Sequence, residues 1–493
     1  MKKYLLIFLV ILSFFVIGGI IINEFILNDD IIITKKETIN SPSKNQEISK
    51  SNSGGEEKTE DKMKELRDKF AIRGLIIEGE SYLNNDQYAL ALKKFLQAFK
   101  STNEDPIIAE QIGDIYMKMN KYMLAYKYYK KIPGELSPEI KDKIIFSYLY
   151  NAELKDKGKR EDAKKEILSL ELDEEKKFYY ISSLECLDDF HSCKTNLSNY
   201  IFAENKELKI DELKNIKMAF DSYRTYKATA QNTQLEDIYY KDALIVGAFF
   251  KNKMFPISVL LGKDILKEKE DYKPILKLIA QSYFELGNMQ GSKIYLGLYN
   301  KIEKDNKEII YMLGVINLKL HEYILSNIFL NKALELGYEP KTNVKRRLIY
   351  NYFELAQIEN MLKEFESLVR NEAVEKEDIY LSIYYHIVYN KKDTALELAK
   401  IGLQKFPDDA NIYAYMGWIY KDKNELEKAS ENLKKGLEID PQNALSNLNM
   451  GYLEIAKGEE KKAIVYFKKT IKKDKEGEFG KQALREINRI SQK

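Results

Sequence analysis

Glycine and proline are scarce, 23 and 9 in 493 residues. That is too little turn chemistry for a barrel, sandwich or propeller of this length, whereas helices need few such residues. Only three histidines (His191, His321, His386) and two cysteines (Cys186, Cys193) are present, which leaves little material for a metal centre or a histidine-dependent triad. No charge of one sign is in excess: 79 basic against 77 acidic residues give +2, so no overall field draws the chain to a phosphate backbone, and nucleic acid is not an expected partner. The short catalytic signatures G-x-x-x-x-G-K-[ST], H-E-x-x-H, G-x-S-x-G and G-x-G-x-x-G are missing as well. The expectation is a protein that is not an enzyme, with no cofactor, no metal and no small-molecule substrate.

What is present begins with an uncharged stretch, Tyr4 to Asn23, behind Lys2 and Lys3. Its 20 residues would reach about 30 Å as a helix, the thickness of a bilayer core. An A-x-A-like cleavage site is lacking, so an uncleaved single transmembrane signal-anchor is expected. Lys2 and Lys3 before the segment, with Glu24, Asp29 and Asp30 after it, place the amino end in the cytoplasm and the rest outside it. From Asn28 to Lys62 the polar run containing SPSKNQEISKSNSGGEEKTEDK has no helical or strand period and reads as a flexible linker.

The folded part carries a 34-residue period. Ala395, Ala429 and Ala463 keep it, as do Gly417 with Gly451, Gly402 with Gly436, and Pro407 with Pro441. Nearer the start, Gly79 and Gly113, Ala91 and Ala125, and Phe95 and Tyr129 repeat the spacing, and a middle block pairs Ala280 with Gly314 and Leu296 with Leu330. The fullest copy is NIYAYMGWIYKDKNELEKASENLKKGLEIDP, with Tyr413, Met416, Gly417, Tyr420, Ala429, Leu433, Gly436 and Pro441 at the recurring places. Gly417 and Ala429 let two antiparallel helices approach closely, Tyr420 and Leu433 fill the space between hairpins, and Pro441 ends a helix.

These residues resemble the tetratricopeptide repeat (TPR). The resemblance implies an all-α solenoid of helical hairpins, a right-handed superhelix whose concave groove is lined by first helices, preceded here by one transmembrane helix and a disordered linker. The expected division is residues 1–27 as anchor, 28–62 as linker, 63–139 as amino-terminal repeats, 140–238 as irregular helical or degenerate repeats, 239–477 as carboxyl-terminal repeats, and 478–493 as a capping helix and tail. In that last helix Phe479, Ala483, Ile487 and Ile490 form one apolar stripe, with Lys481, Arg485 and Arg489 outside it.

The resemblance also implies a protein or peptide ligand in the groove. Tyr384, Trp418 and Tyr452 recur at 34 residues, one place after the position that Gly417 and Gly451 hold in their first helices, with Tyr380 one turn earlier. An aromatic ladder there offers large contact area with little side-chain entropy to lose, and the competing reading is inter-repeat packing. The Lys and Asn that some relatives use to clamp a terminal carboxylate have no counterparts, since the matching places hold Tyr380, Ala414, Leu448, Tyr384, Trp418 and Tyr452. Cys186 and Cys193 bracket LDDFHS and read either as a local disulfide or as two free thiols. The expected function is a membrane-tethered scaffold for protein–protein interaction in envelope assembly or secretion, the alternatives being a self-associating envelope component or a cytosol-facing organelle-membrane receptor.

Overall fold

The computed structural model describes residues 56–84, 87–204, 206–230, 239–370, 373–475 and 477–492. Those residues form 24 α-helices and no strand. They divide into two compact units, one ending at Leu320 and one spanning His321–Lys493.

The first unit holds α1 (Glu56–Asn84), α2 (Tyr88–Ser101), α3 (Pro106–Lys118), α4 (Tyr122–Tyr129), α5 (Pro138–Asn151), α6 (Lys157–Ser169), α7 (Glu174–Glu185), α8 (Phe190–Ile201), α9 (Asp211–Ala230), α10 (Tyr240–Lys251), α11 (Phe255–Glu268), α12 (Lys273–Glu285), α13 (Met289–Ile302) and α14 (Lys307–Lys319). The second holds α15 (Tyr323–Glu335), α16 (Lys341–Glu354), α17 (Ile358–Val369), α18 (Lys376–Val388), α19 (Lys392–Lys405), α20 (Ala410–Asp422), α21 (Leu426–Ile439), α22 (Ala444–Ala456), α23 (Glu460–Lys473) and α24 (Glu478–Ser491).

Small residues decide how closely each hairpin closes. A Cβ placed on Gly79 would stand 2.8 Å from the Phe95 ring, and one on Gly417 or Gly451 would run into Leu433 or Phe467. In all three pairs the partner lies 16 residues on, in the facing second helix, and is fully buried. The backbone repeats more faithfully than the side chains. Where a first helix ends within a unit, one residue turns into the left-handed region: Lys253 (φ 60°), Gly287 (71°), Ala356 (53°), Asn390 (59°), Asn424 (62°) and Gly458 (81°). Such a residue lets the carbonyls of the last turn be capped and sends the chain back as the second helix. Starts are fixed by side chains: Asp409 Oδ1 accepts from the Asn411 and Ile412 amides at 3.0 and 3.2 Å, and Asn443 Oδ1 from Ser446 N at 2.8 Å.

The described residues between 140 and 230 depart from this pattern. After α5 the chain leaves through Ala152 in an extended conformation (ψ 140°) rather than a left-handed turn. The buried carboxylate of Glu175 accepts from Lys209 N at 2.8 Å and Ile210 N at 3.3 Å, fixing the segment between α8 and α9. Within this unit the array also meets itself: the Tyr122 hydroxyl donates to the Leu286 carbonyl at 3.3 Å and the Tyr150 hydroxyl donates to that of Lys253.

The single-pass, extracytoplasmic placement expected from the sequence is corrected here. Among the described residues no helix is long and apolar enough to cross a membrane. The run Tyr4–Asn23, on which that placement rested, and residues 1–55 as a whole lie outside the described residues.

Candidate functional site

In the second unit the first helices pack side by side in chain order, α18 on α20, α20 on α22, and α22 on α24. Each first helix is therefore flanked by the next along one face of the unit. Residues 34 apart stand at matching heights on that face, which brings Tyr384, Trp418 and Tyr452 to one cavity of about 260 Å³. The Tyr384 and Trp418 rings approach edge-on at 6.3 Å between centroids, and Tyr415 stacks on Trp418 at 6.4 Å and 20°. Leu445, Leu448 and Asn449 of α22 form the floor, and Phe479 and Gln482 of α24 close the far side.

The charges at this cavity are already used. Trp418 Nε1 donates to Asp422 Oδ2 at 2.9 Å, and Lys421 Nζ lies 2.9 Å from Asp422 Oδ1. The same ammonium stands 5.3 Å from the Tyr452 ring centroid, a cation–π contact. Burial pushes the Tyr452 hydroxyl up to about 12, with the nearby Glu486 adding to it. Burial also raises Tyr384 and Tyr415 well above the ordinary phenol range. The phenols therefore stay neutral across physiological pH and the lining carries no uncompensated charge.

Tyr380 is not at the cavity. Its hydroxyl donates to Asp409 Oδ2 at 2.6 Å, where Lys376 Nζ also pairs with that carboxylate at 3.1 Å. Burial, then the hydrogen bond to Asp409, raises this phenol. Tyr380 thus ties α18 to the start of α20. Of the four ladder residues named from the sequence, three share a cavity and one is a strut. The residues that sequence reasoning passed over are Tyr415, Lys421, Asp422, Leu445, Asn449 and Gln482. Their signal was helical spacing: Tyr415 lies three before Trp418, Asp422 four after it, and Leu445 and Asn449 seven and three before Tyr452.

Away from the groove, the turn between α7 and α8 brings Cys186 and Cys193 together. Both are buried, their Cα atoms are 4.9 Å apart, and the structure joins their sulfurs. His191, in the first turn of α8, is exposed.

Residues 417–458 match the family model described as TPR repeat, from Gly417 through α21 and α22. Among solved structures, yeast Tom70 aligns at 14% identity and a TM-score of 0.30, over 86% of this chain and 96% of that one. The carboxyl-terminal part of a TPR repeat-containing protein from Cytophaga hutchinsonii aligns at 13% identity and a TM-score of 0.40, over 49% and 99%. YrrB, described as a TPR protein with an unusual peptide-binding site, aligns at 18% identity and a TM-score of 0.31, over 38% and 95%. Scores at this level carry no argument about function. No curated protein matches the sequence.

Proposed function

We propose that the protein is a non-catalytic scaffold that binds a segment of a partner protein along the first helices of residues 376–456. The observation that carries this reading is the cavity shared by Tyr384, Trp418 and Tyr452, aromatic side chains from three successive hairpins left half-buried beside unfilled space. Residues used only to pack repeats together would leave no such space between them. Aromatic groups in a partly desolvated hollow are also the side chains that dominate binding energy at protein interfaces. The envelope role expected from the sequence rested on the amino-terminal run and forms no part of the proposal.

The test is a slim aliphatic-diazirine photo-crosslinking amino acid, no bulkier than the glutamine it replaces, at position 482 of the full chain, with position 431 on the outer side of α21 as control. Adducts at 482 are expected to map to one contiguous segment of a partner. Tyr384→Ala combined with Tyr452→Ala is expected to lower their yield about tenfold or more at unchanged helicity. Equal yields from 482 and 431, or indifference to the double substitution, would move the binding surface elsewhere.

The Cys186–Cys193 link belongs to the same proposal as a local staple for a stretch of hairpins that, among the described residues, lacks the left-handed turn. Maleimide labelling of the denatured protein is expected to find no reactive thiol before reduction and two after it. Two before reduction would make both cysteines ordinary core residues. Closing so short a loop removes freedom chiefly from the unfolded chain, so Cys186→Ala with Cys193→Ala should lower stability by about 2 kcal/mol in a urea titration.

A further inference from the structure

The cavity at Trp418 has a far wall that no repeat supplies. Phe479 and Gln482 belong to α24, the helix after the last hairpin, which would otherwise serve only to cover the apolar end of the array. On this helix Ala483 and Ile490 are buried against Phe467 and Ala463, while Lys481, Arg485 and Arg489 are exposed. Phe479 packs on the same core cluster and still reaches the cavity.

Resting on the groove reading above, we infer that this cavity receives one uncharged apolar side chain of the bound segment, and that α24 is a wall of the binding site as well as a cap. Size is the first reason. A cavity of about 260 Å³ falls below the usual range for a whole ligand, so it suits one large side chain with the backbone of the segment running outside. Chemistry is the second. Leu445, Leu448 and Phe479 present carbon, and the one carboxylate and one ammonium at the cavity, Asp422 and Lys421, already neutralise each other. An incoming carboxylate would face Asp422, and Lys421 is already committed to that carboxylate. An incoming ammonium would have to displace Lys421 from its place over Tyr452. A large apolar or aromatic group meets neither obstacle and gains ring contacts on three sides.

Trp418 is the only tryptophan in the chain, so its emission reads the cavity directly. The probe is N-acetyl-phenylalaninamide, titrated against the full-length protein with selective excitation of tryptophan. N-acetyl-aspartic acid amide and tetramethylammonium are run in parallel. The phenylalanine probe is expected to give a saturable change with a Kd on the order of millimolar, and the two charged probes none. Gln482→Phe would fill the cavity from within without touching the core, and is expected to weaken the probe at least about tenfold. Phe479→Ala, which removes the wall, is expected to do the same at unchanged helicity. Silence toward the phenylalanine probe, a saturable response to either charged probe, or an unchanged affinity in Gln482→Phe would overturn the inference. Crosslinking from position 482 does not depend on the chemistry of the ligand, so a partner captured there alongside a silent phenylalanine probe would sink this inference and leave the groove reading standing.

Discussion

Phe467→Ala is expected to lower the stability of the carboxyl-terminal hairpins by about 3–5 kcal/mol, and to do so there before anywhere else. Phe467 is fully buried on α23, set against Gly451 of α22 and edge-on to Tyr452 at 5.5 Å. It is the centre of a small core with Leu448, Ala463, Ala483 and Ile490, and that core packs α24 onto the last hairpin. Truncation removes the ring and leaves a hole between the two helices. At this end, where hairpins pack on their neighbours in chain order, such damage stays where it is made. Trp418 supplies one probe near that end and far-ultraviolet circular dichroism supplies an average over the whole chain. In a urea titration of the variant the Trp418 midpoint should fall below the dichroism midpoint. A Trp418 midpoint equal to that of the unsubstituted protein would show that Phe467 does not hold this end together. The cavity should be lost with the cap, so Phe467→Ala is also expected to abolish crosslinking at position 482.

The hairpin logic was legible because it is written in volumes. Gly79, Gly417 and Gly451 recur where another Cβ would strike the facing helix, and the bulky partner 16 residues on is the other half of the same contact. The turns were less legible. Lys253 and Ala356 adopt the left-handed conformation that glycine or asparagine usually marks, so the repeat persists in the backbone at places where its sequence sign is gone. Three of the four ladder positions could be read from spacing alone, since register along neighbouring first helices follows from the period. Tyr380 could not be assigned that way, because its partner Asp409 lies 29 residues on at the start of the next hairpin and captures its hydroxyl. The far wall of the cavity was hidden for a related reason. Phe479 was expected to face the array as part of an apolar stripe, and it does, but a stripe does not reveal that one of its members also borders empty space.

Asp378→Ala is the other substitution expected to cost about 3 kcal/mol, for an electrostatic reason. Arg346 on α16 and Asp378 on α18 form a buried two-pronged pair, Nε to Oδ1 at 3.0 Å and Nη2 to Oδ2 at 2.9 Å, joining hairpins 32 residues apart. Asp378 Oδ2 also accepts from the Glu375 amide at 3.1 Å, and the Glu375 carboxylate lies 2.8 Å from Nη2. Removing Asp378 strands most of a buried guanidinium, whereas replacing both partners by apolar groups of similar size removes the desolvation cost as well. A cycle of Asp378→Leu, Arg346→Met and the double variant should therefore show the double variant recovering most of what each single change loses. The two single variants should also differ in their response to acid. Burial holds the Asp378 carboxyl above its ordinary value even beside Arg346. Arg346→Met removes the only opposing cation of the pair and should raise it further. A carboxyl whose folded value exceeds its unfolded one binds its proton more tightly when folded, so the variant carries its full penalty above the raised value and recovers as the pH falls through it. Arg346→Met should thus gain stability relative to Asp378→Leu as the pH falls from neutral toward the ordinary carboxylate range in matched urea titrations. Parallel losses in the two single variants over that range would mean that the carboxylate is solvated once its partner is gone, and that the pair does not bind the two hairpins through a dry contact.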